Sequence, residues 1–128
     1  MIVVPTYAAL FALLFVFLSF RVIKARRQEK IAIGAGGNAV VERAMRVHAN
    51  FAEYVPFTLL LLFFIEQKGA HFLYVNILCL MLLAGRSLHI YGVSNENENL
   101  RYRVLGMSMT FGTIIFAAIT LLVMAVRG

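Results

Sequence analysis

Four long apolar stretches decide what this chain can fold into. The run Tyr7–Phe20 carries no charge, and it is joined by Phe57–Ile65, Ile77–Ala84 and Ile114–Val126, the last polar only at Thr120. A helix of about 20 residues crosses a bilayer core of about 30 Å, and each run is the centre of a segment near that length. The expected fold is all-α: an integral membrane four-helix bundle, a single four-span domain over residues 1–128 with helices at 2–23, 39–66, 71–92 and 103–126.

Composition agrees. Of 128 residues 62% are hydrophobic and 14% charged, a balance foreign to a soluble domain of this size. The net charge of +6 follows the loops between apolar segments, which is a topology signal and argues against nucleic acid as partner. The single cysteine, Cys79, lies within an apolar run, has no metal-ligand partner at zinc spacing, and reads as a small buried side chain; no metal is expected. The first segment has no basic region before it and no small-residue cleavage site, so it is expected to be a retained span.

The second segment is unusual because its first half is charged. At about 100° per residue, Glu42, Arg43, Arg46, Asn50, Glu53 and Tyr54 fall within an arc of roughly 120°, while His48 points elsewhere with Val47, Phe51 and Val55. A charge at mid-bilayer costs roughly 2.5–3.5 kcal/mol, and a Leu or Phe returns only about 0.3–0.6. This face must therefore sit near the interface, pair internally, or line an enclosed polar cavity. Two readings stand side by side: a salt-bridged helix with Glu42–Arg46 and Arg46–Asn50–Glu53 contacts, or a ligand site. Pro56 removes one backbone bond and predicts a bend beside Asn50, Glu53 and Tyr54.

The remaining signals order the spans. Glu66-Gln67-Lys68-Gly69 is a tight turn, making segments two and three antiparallel neighbours. Gly34, Gly36 and Gly37 precede no Lys-Ser/Thr and follow no strand, so they read as a connector, with Asn38 as a helix cap. Arg86 and His89, one turn apart near the end of segment three, read as interface anchors. Gly106, Ser108, Thr110, Gly112 and Thr113 predict a small-residue packing face. Arg21, Lys24, Arg26, Arg27, Lys30, Arg101 and Arg103 lie on one side, against Lys68 and Arg127 on the other. The positive-inside rule makes loops 21–38 and 93–103 cytoplasmic and puts both termini opposite. Arginines then converge in one layer and suit a ligand with several carboxylates; Glu53 suits an ammonium group, and an arginine beside a thiol favours the thiolate. An apolar wall open to lipid admits a lipophilic small molecule.

The stretch Val41-Glu-Arg-Ala-Met-Arg-Val-His-Ala-Asn-Phe-Ala-Glu-Tyr-Val-Pro-Phe57 resembles the signature of the membrane-associated proteins in eicosanoid and glutathione metabolism, the MAPEG family, and most of all its short bacterial members. The resemblance is strong over 41–57, looser over 84–103, and extends to the rest of the chain by topology. It implies a homotrimer in the bacterial inner membrane, with glutathione as co-substrate bound between subunits near the cytosolic face. By that likeness Arg26, Arg43, Arg46, His48, Asn50, Glu53 and Tyr54 fall on glutathione-contacting positions, Arg27 beside the first of them. Two ligand-contacting tyrosines of a glutathione-using relative match His89 and Val93, with Tyr91 between them. Arg101, across a one-residue gap, falls close to the arginine that stabilises the thiolate in the family, with Arg103 as the alternative. The activity implied is a glutathione transferase or peroxidase acting on lipophilic electrophiles. The alternatives are a non-catalytic binding or scaffold protein of the same fold and, less favoured, a small four-span transporter, since segment one carries no acidic residue.

Overall fold

The structure is a computed structural model and describes residues 2–128. Its elements are α1 (Val4–Glu29), α2 (Ala39–Gln67), α3 (Phe72–Ser94) and α4 (Leu100–Arg127), with no strand among the described residues. All four are long and apolar enough to cross a membrane.

Helix α1 runs past the expected Ile23, so the basic stretch Arg21–Arg27 is helical, and the helix stops where Lys30 turns left-handed at φ 57°. Helix α4 begins at Leu100, which puts Arg101 and Arg103 in its first turn. Helix α2 continues unbroken across Pro56. Local chemistry sets the starts. Pro5 lies in the first turn of α1, where its missing N–H costs nothing. Asn38 Oδ1 accepts from the Val41 amide at 3.1 Å, His71 Nδ1 from Leu73 at 3.3 Å, and Asn99 Oδ1 from Arg101 at 3.0 Å. The start of α1 is capped from another helix: Glu66 Oε2 accepts from the Val3 and Val4 amides at 2.6 and 3.0 Å. A carboxylate there also complements the macrodipole of α1.

Helices α2 and α3 each touch the other three. Helix α1 fully buries only Val4, Phe11, Leu18 and Ala25, a stripe with a period of seven. Facing it, α2 buries Phe51, Val55, Thr58, Leu62 and Ile65 at alternating spacings of three and four. Helices α3 and α4 meet at backbone distance: a Cβ on Gly106 would lie 2.5 Å from the Gly85 carbonyl oxygen and 2.8 Å from the His89 nitrogen. Thr110 and Thr113 are buried in this contact, donating to the Gly106 and Met109 carbonyls at 2.9 Å each, but Ser108 faces outward, departing from the expected small-residue face. Much of the exterior is large and apolar, with Leu13, Phe17, Phe20 and Leu122 exposed, as a lipid-facing surface requires.

Candidate functional site

The charged half of α2 borders a cavity of about 400 Å³ between α2, α3 and the start of α4. That volume lies within the range of small-molecule sites, about 300–1,000 Å³. Arg43, Arg46 and Asn50 enter from α2, His89 from α3, and Arg103 and Met107 from α4. The 100° spacing of α2 brings its three residues together, and the close α3–α4 packing brings the other elements to them.

The arginines differ in what they hold. Glu98, in the loop before α4, takes two of them: Arg103 Nε and Nη2 donate at 2.7 and 2.6 Å, and Arg43 Nη1 at 3.0 Å. Arg43 Nη1 also donates to the Val93 carbonyl at 3.0 Å. Burial pushes the Glu98 carboxyl up, but the hydrogen bonds and charges of Arg43 and Arg103 outweigh it and hold it below the ordinary carboxylate range. The expected Glu42–Arg46 pair does not form, and neither does an Arg46–Asn50–Glu53 network. An exposed i,i+4 pair is worth little, whereas Glu98 is a carboxylate shared by the guanidiniums of Arg43 and Arg103. Arg46 therefore lines the cavity with no ion pair among the described residues.

Beneath the cavity Arg86 is buried, only 1% exposed, and so is His89; neither is the interface anchor their position near a helix end suggested. The α3–α4 glycine contact draws α4 over this face of α3 and closes it off. Arg86 Nη1 donates to Asn50 Oδ1 at 2.5 Å and Nη2 to Met107 Sδ at 3.1 Å. Its guanidinium carbon lies 6.0 Å from the centre of the Tyr54 ring, a cation–π contact. Arg86 Nε is the one fully buried side-chain nitrogen or oxygen among the described residues with no partner.

The other expected site residues lie outside this cavity. His48 sits on the opposite flank of α2, its Nε2 3.0 Å from Ser19 Oγ and its ring stacked on Phe15 at 4.8 Å. Arg26 reaches into the 30–38 connector, donating to the Gly34 carbonyl at 2.6 Å. Glu53 is exposed on the outer face of α2 and makes no ion pair among the described residues. Tyr54 is half-buried with its edge to Phe111, Tyr91 is exposed against Tyr102, and Arg101 is exposed outside the cavity that Arg103 lines. Glu98 and Arg86 were not among the expected site residues. Glu98 was legible only as one acid near Arg101 and Arg103, and Arg86 only as a charge one turn from His89.

Comparison with known proteins comes to bear on this geometry. The family model described as "MAPEG family" matches residues 4–123. The inner membrane protein YecN of Escherichia coli strain K12 is 39% identical over 109 residues, covering 85% of this chain and 82% of that protein. YecN of Escherichia coli O6:H1 matches with the same identity and coverage.

Proposed function

The chain belongs to the MAPEG family, and from that premise we propose that it is an inner-membrane protein that binds glutathione in this cavity, as a homotrimer, and joins it to lipophilic electrophiles.

The observation that carries the reading is how α2 divides its polar residues. Arg43, Arg46 and Asn50 turn into the cavity, His48 lies on the other flank with α1, and Glu53 is left uncovered between. Counting back about 30 Å from Gln67 at 1.5 Å per residue ends near Val47, so Glu53 falls within the hydrocarbon layer. An unpaired carboxylate facing lipid costs about 2.5–3.5 kcal/mol at mid-bilayer and less toward the boundary near which Glu53 lies. A second copy covering this face removes that cost, and its Arg26 and His48 flank is the natural complement to the open side of the cavity.

Glutathione offers two carboxylates, an ammonium and a thiol. Arg46 and Arg43 suit the carboxylates as forked donors, Asn50 an amide carbonyl, and Glu53 the ammonium. Arg103, the cavity-lining member of the Arg101/Arg103 pair, is the cation suited to stabilise the thiolate. In the transferase reaction the thiolate sulfur attacks an electrophilic carbon of an acceptor arriving from lipid; the S–C bond forms, the leaving group departs with its electron pair, and the thiol proton passes to solvent. No protein side chain acts as nucleophile. Loops 30–38 and 95–99 face the cytoplasm in this reading, where the basic residues crowd.

Glu98 favours a second reading. It already neutralises Arg43 and Arg103, which suits a binding protein without turnover. Calorimetry with glutathione on the purified protein in detergent, for wild type and Arg46→Ala, tests binding. Thioether formation with an activated aryl halide then tests catalysis. Binding that Arg46→Ala abolishes, together with turnover, is the expected result. Binding without turnover selects the second reading, and a folded oligomer that ignores millimolar glutathione ends both.

A further inference from the structure

Helix α1 packs chiefly on α2 and only lightly on α3, and a cleft of about 360 Å³ is left between α1 and α3. Leu14, Ile90 and Tyr91 supply its apolar wall, Ser87 adds one hydroxyl deeper along α3, and Arg21 and Ser94 line it toward the loops. A second chamber of about 260 Å³ lies beside it among α1, the start of α2 and the loop before α4. Arg21 and Ser94 line both chambers, and Arg21 Nη2 donates to Ser94 Oγ at 2.9 Å, so this pair forms their common wall. In the second chamber Arg21 and Lys24 stand against one acid, Glu96, while Arg43, which also lines it, is held by Glu98.

The two chambers ask for different chemistry from one occupant. The first opens from the hydrocarbon layer between two spans and suits an alkyl chain. The second carries surplus positive charge; Arg21 spends one N–H on Ser94 and keeps others, and Lys24 makes no side-chain hydrogen bond among the described residues. Leu14 lies about 10 Å from Arg21 along α1, deep enough to meet an acyl chain whose phosphate sits at Arg21. We infer that these chambers bind one anionic phospholipid, its phosphate ester between Arg21 and Lys24 and an acyl chain against Leu14, Ile90 and Tyr91. A zwitterionic lipid gains less, because its ammonium meets the same cations. Arg43 lines both the second chamber and the glutathione cavity, but Arg46, Asn50 and Glu53 line neither chamber, and the phosphate contacts inferred here rest on Arg21 and Lys24, which do not line that cavity.

The test is native mass spectrometry of the purified protein in neutral detergent, titrated with phosphatidylglycerol or with phosphatidylethanolamine of the same chains. One phosphatidylglycerol per chain is expected. Arg21→Gln with Lys24→Gln weakens it by about tenfold or more. Leu14→Trp, which fills the apolar chamber and leaves every charge in place, weakens it as well and stands alone if the double variant does not fold. Arg27 and Lys30 are exposed and line neither chamber, so Arg27→Gln with Lys30→Gln leaves binding within about twofold. Equal retention of phosphatidylethanolamine, or an equal loss in the Arg27/Lys30 control, overturns the inference as diffuse surface attraction. Displacement by glycerol phosphate at matched concentration overturns it as a site for a soluble phosphate ester.

Discussion

Arg86 decides which end of the Asn50 amide faces the cavity. A guanidinium can only donate, so Asn50 must turn Oδ1 toward Arg86 Nη1, at 2.5 Å, and its N–H₂ is left for whatever enters. A buried cation below thereby becomes an oriented donor above. Asn50→Asp is expected to keep the fold, because it exchanges a hydrogen bond for an ion pair, and to weaken anionic ligands by about tenfold or more as a carboxylate replaces the donor. Asn50→Ala strips Arg86 of its oxygen acceptor and is expected to cost about 1.5–3 kcal/mol. Thermal melts with glutathione calorimetry separate the two; an Asn50→Ala protein that melts like wild type contradicts the arrangement.

Glu98 ties the loop before α4 to two helices, and its carboxyl is held below the ordinary range. A depressed carboxylate adds stability at pH above its unfolded value, about 4.3 for Glu, and loses it as pH falls through the lower folded value. Glu98→Gln should therefore melt below wild type at neutral pH, with the gap closing as pH drops below about 4. A gap independent of pH would remove Glu98 from this role. The same change frees Arg43 and Arg103, and tighter glutathione binding by the variant is expected.

Gly106 has no room for a methyl group, because the obstacles are backbone atoms of α3. Gly112 is a matched control on the same helix: a Cβ there meets only the Met81 methyl, at 3.3 Å, which can swing aside. Gly106→Ala is expected to destabilise by about 1–3 kcal/mol or more and to disturb the cavity through His89, while Gly112→Ala stays near wild type. Melting curves of the two variants decide the point.

Glu66 holds the first amides of α1 from across the bundle. Glu66→Ala is expected to cost about 0.5–2 kcal/mol, the usual scale for a lost helix cap. Faster amide exchange at the start of α1, with exchange in α4 unchanged, is the accompanying signature.

Periodicity made much of this legible. Apolar runs located the four helices, and the 100° arc brought Arg43, Arg46 and Asn50 to one face. Pairing was another matter, since it depends on what crosses from other helices. Glu42 and Arg46 are well spaced for each other and do not pair, while the arginine between them, Arg43, finds its acid 55 positions away. Arg86 has the position of an interface anchor, and only the approach of α4 at Gly85 and Gly106 makes it a buried one. The split of α2 into a cavity flank and a His48 flank was implicit in the helical wheel, which set His48 apart from Arg46.

Helix α1 fully buries one side chain in every seven. On its exposed face between Val4 and Leu18, where Leu13 and Phe17 point outward, a substitution meets lipid and leaves untouched the cavity that α2, α3 and α4 line. Evolution can thus rewrite that face to suit bilayers of different thickness or composition while the binding chemistry is inherited intact. Among relatives of this chain, divergence concentrated there would record the membranes they inhabit rather than the molecules they bind.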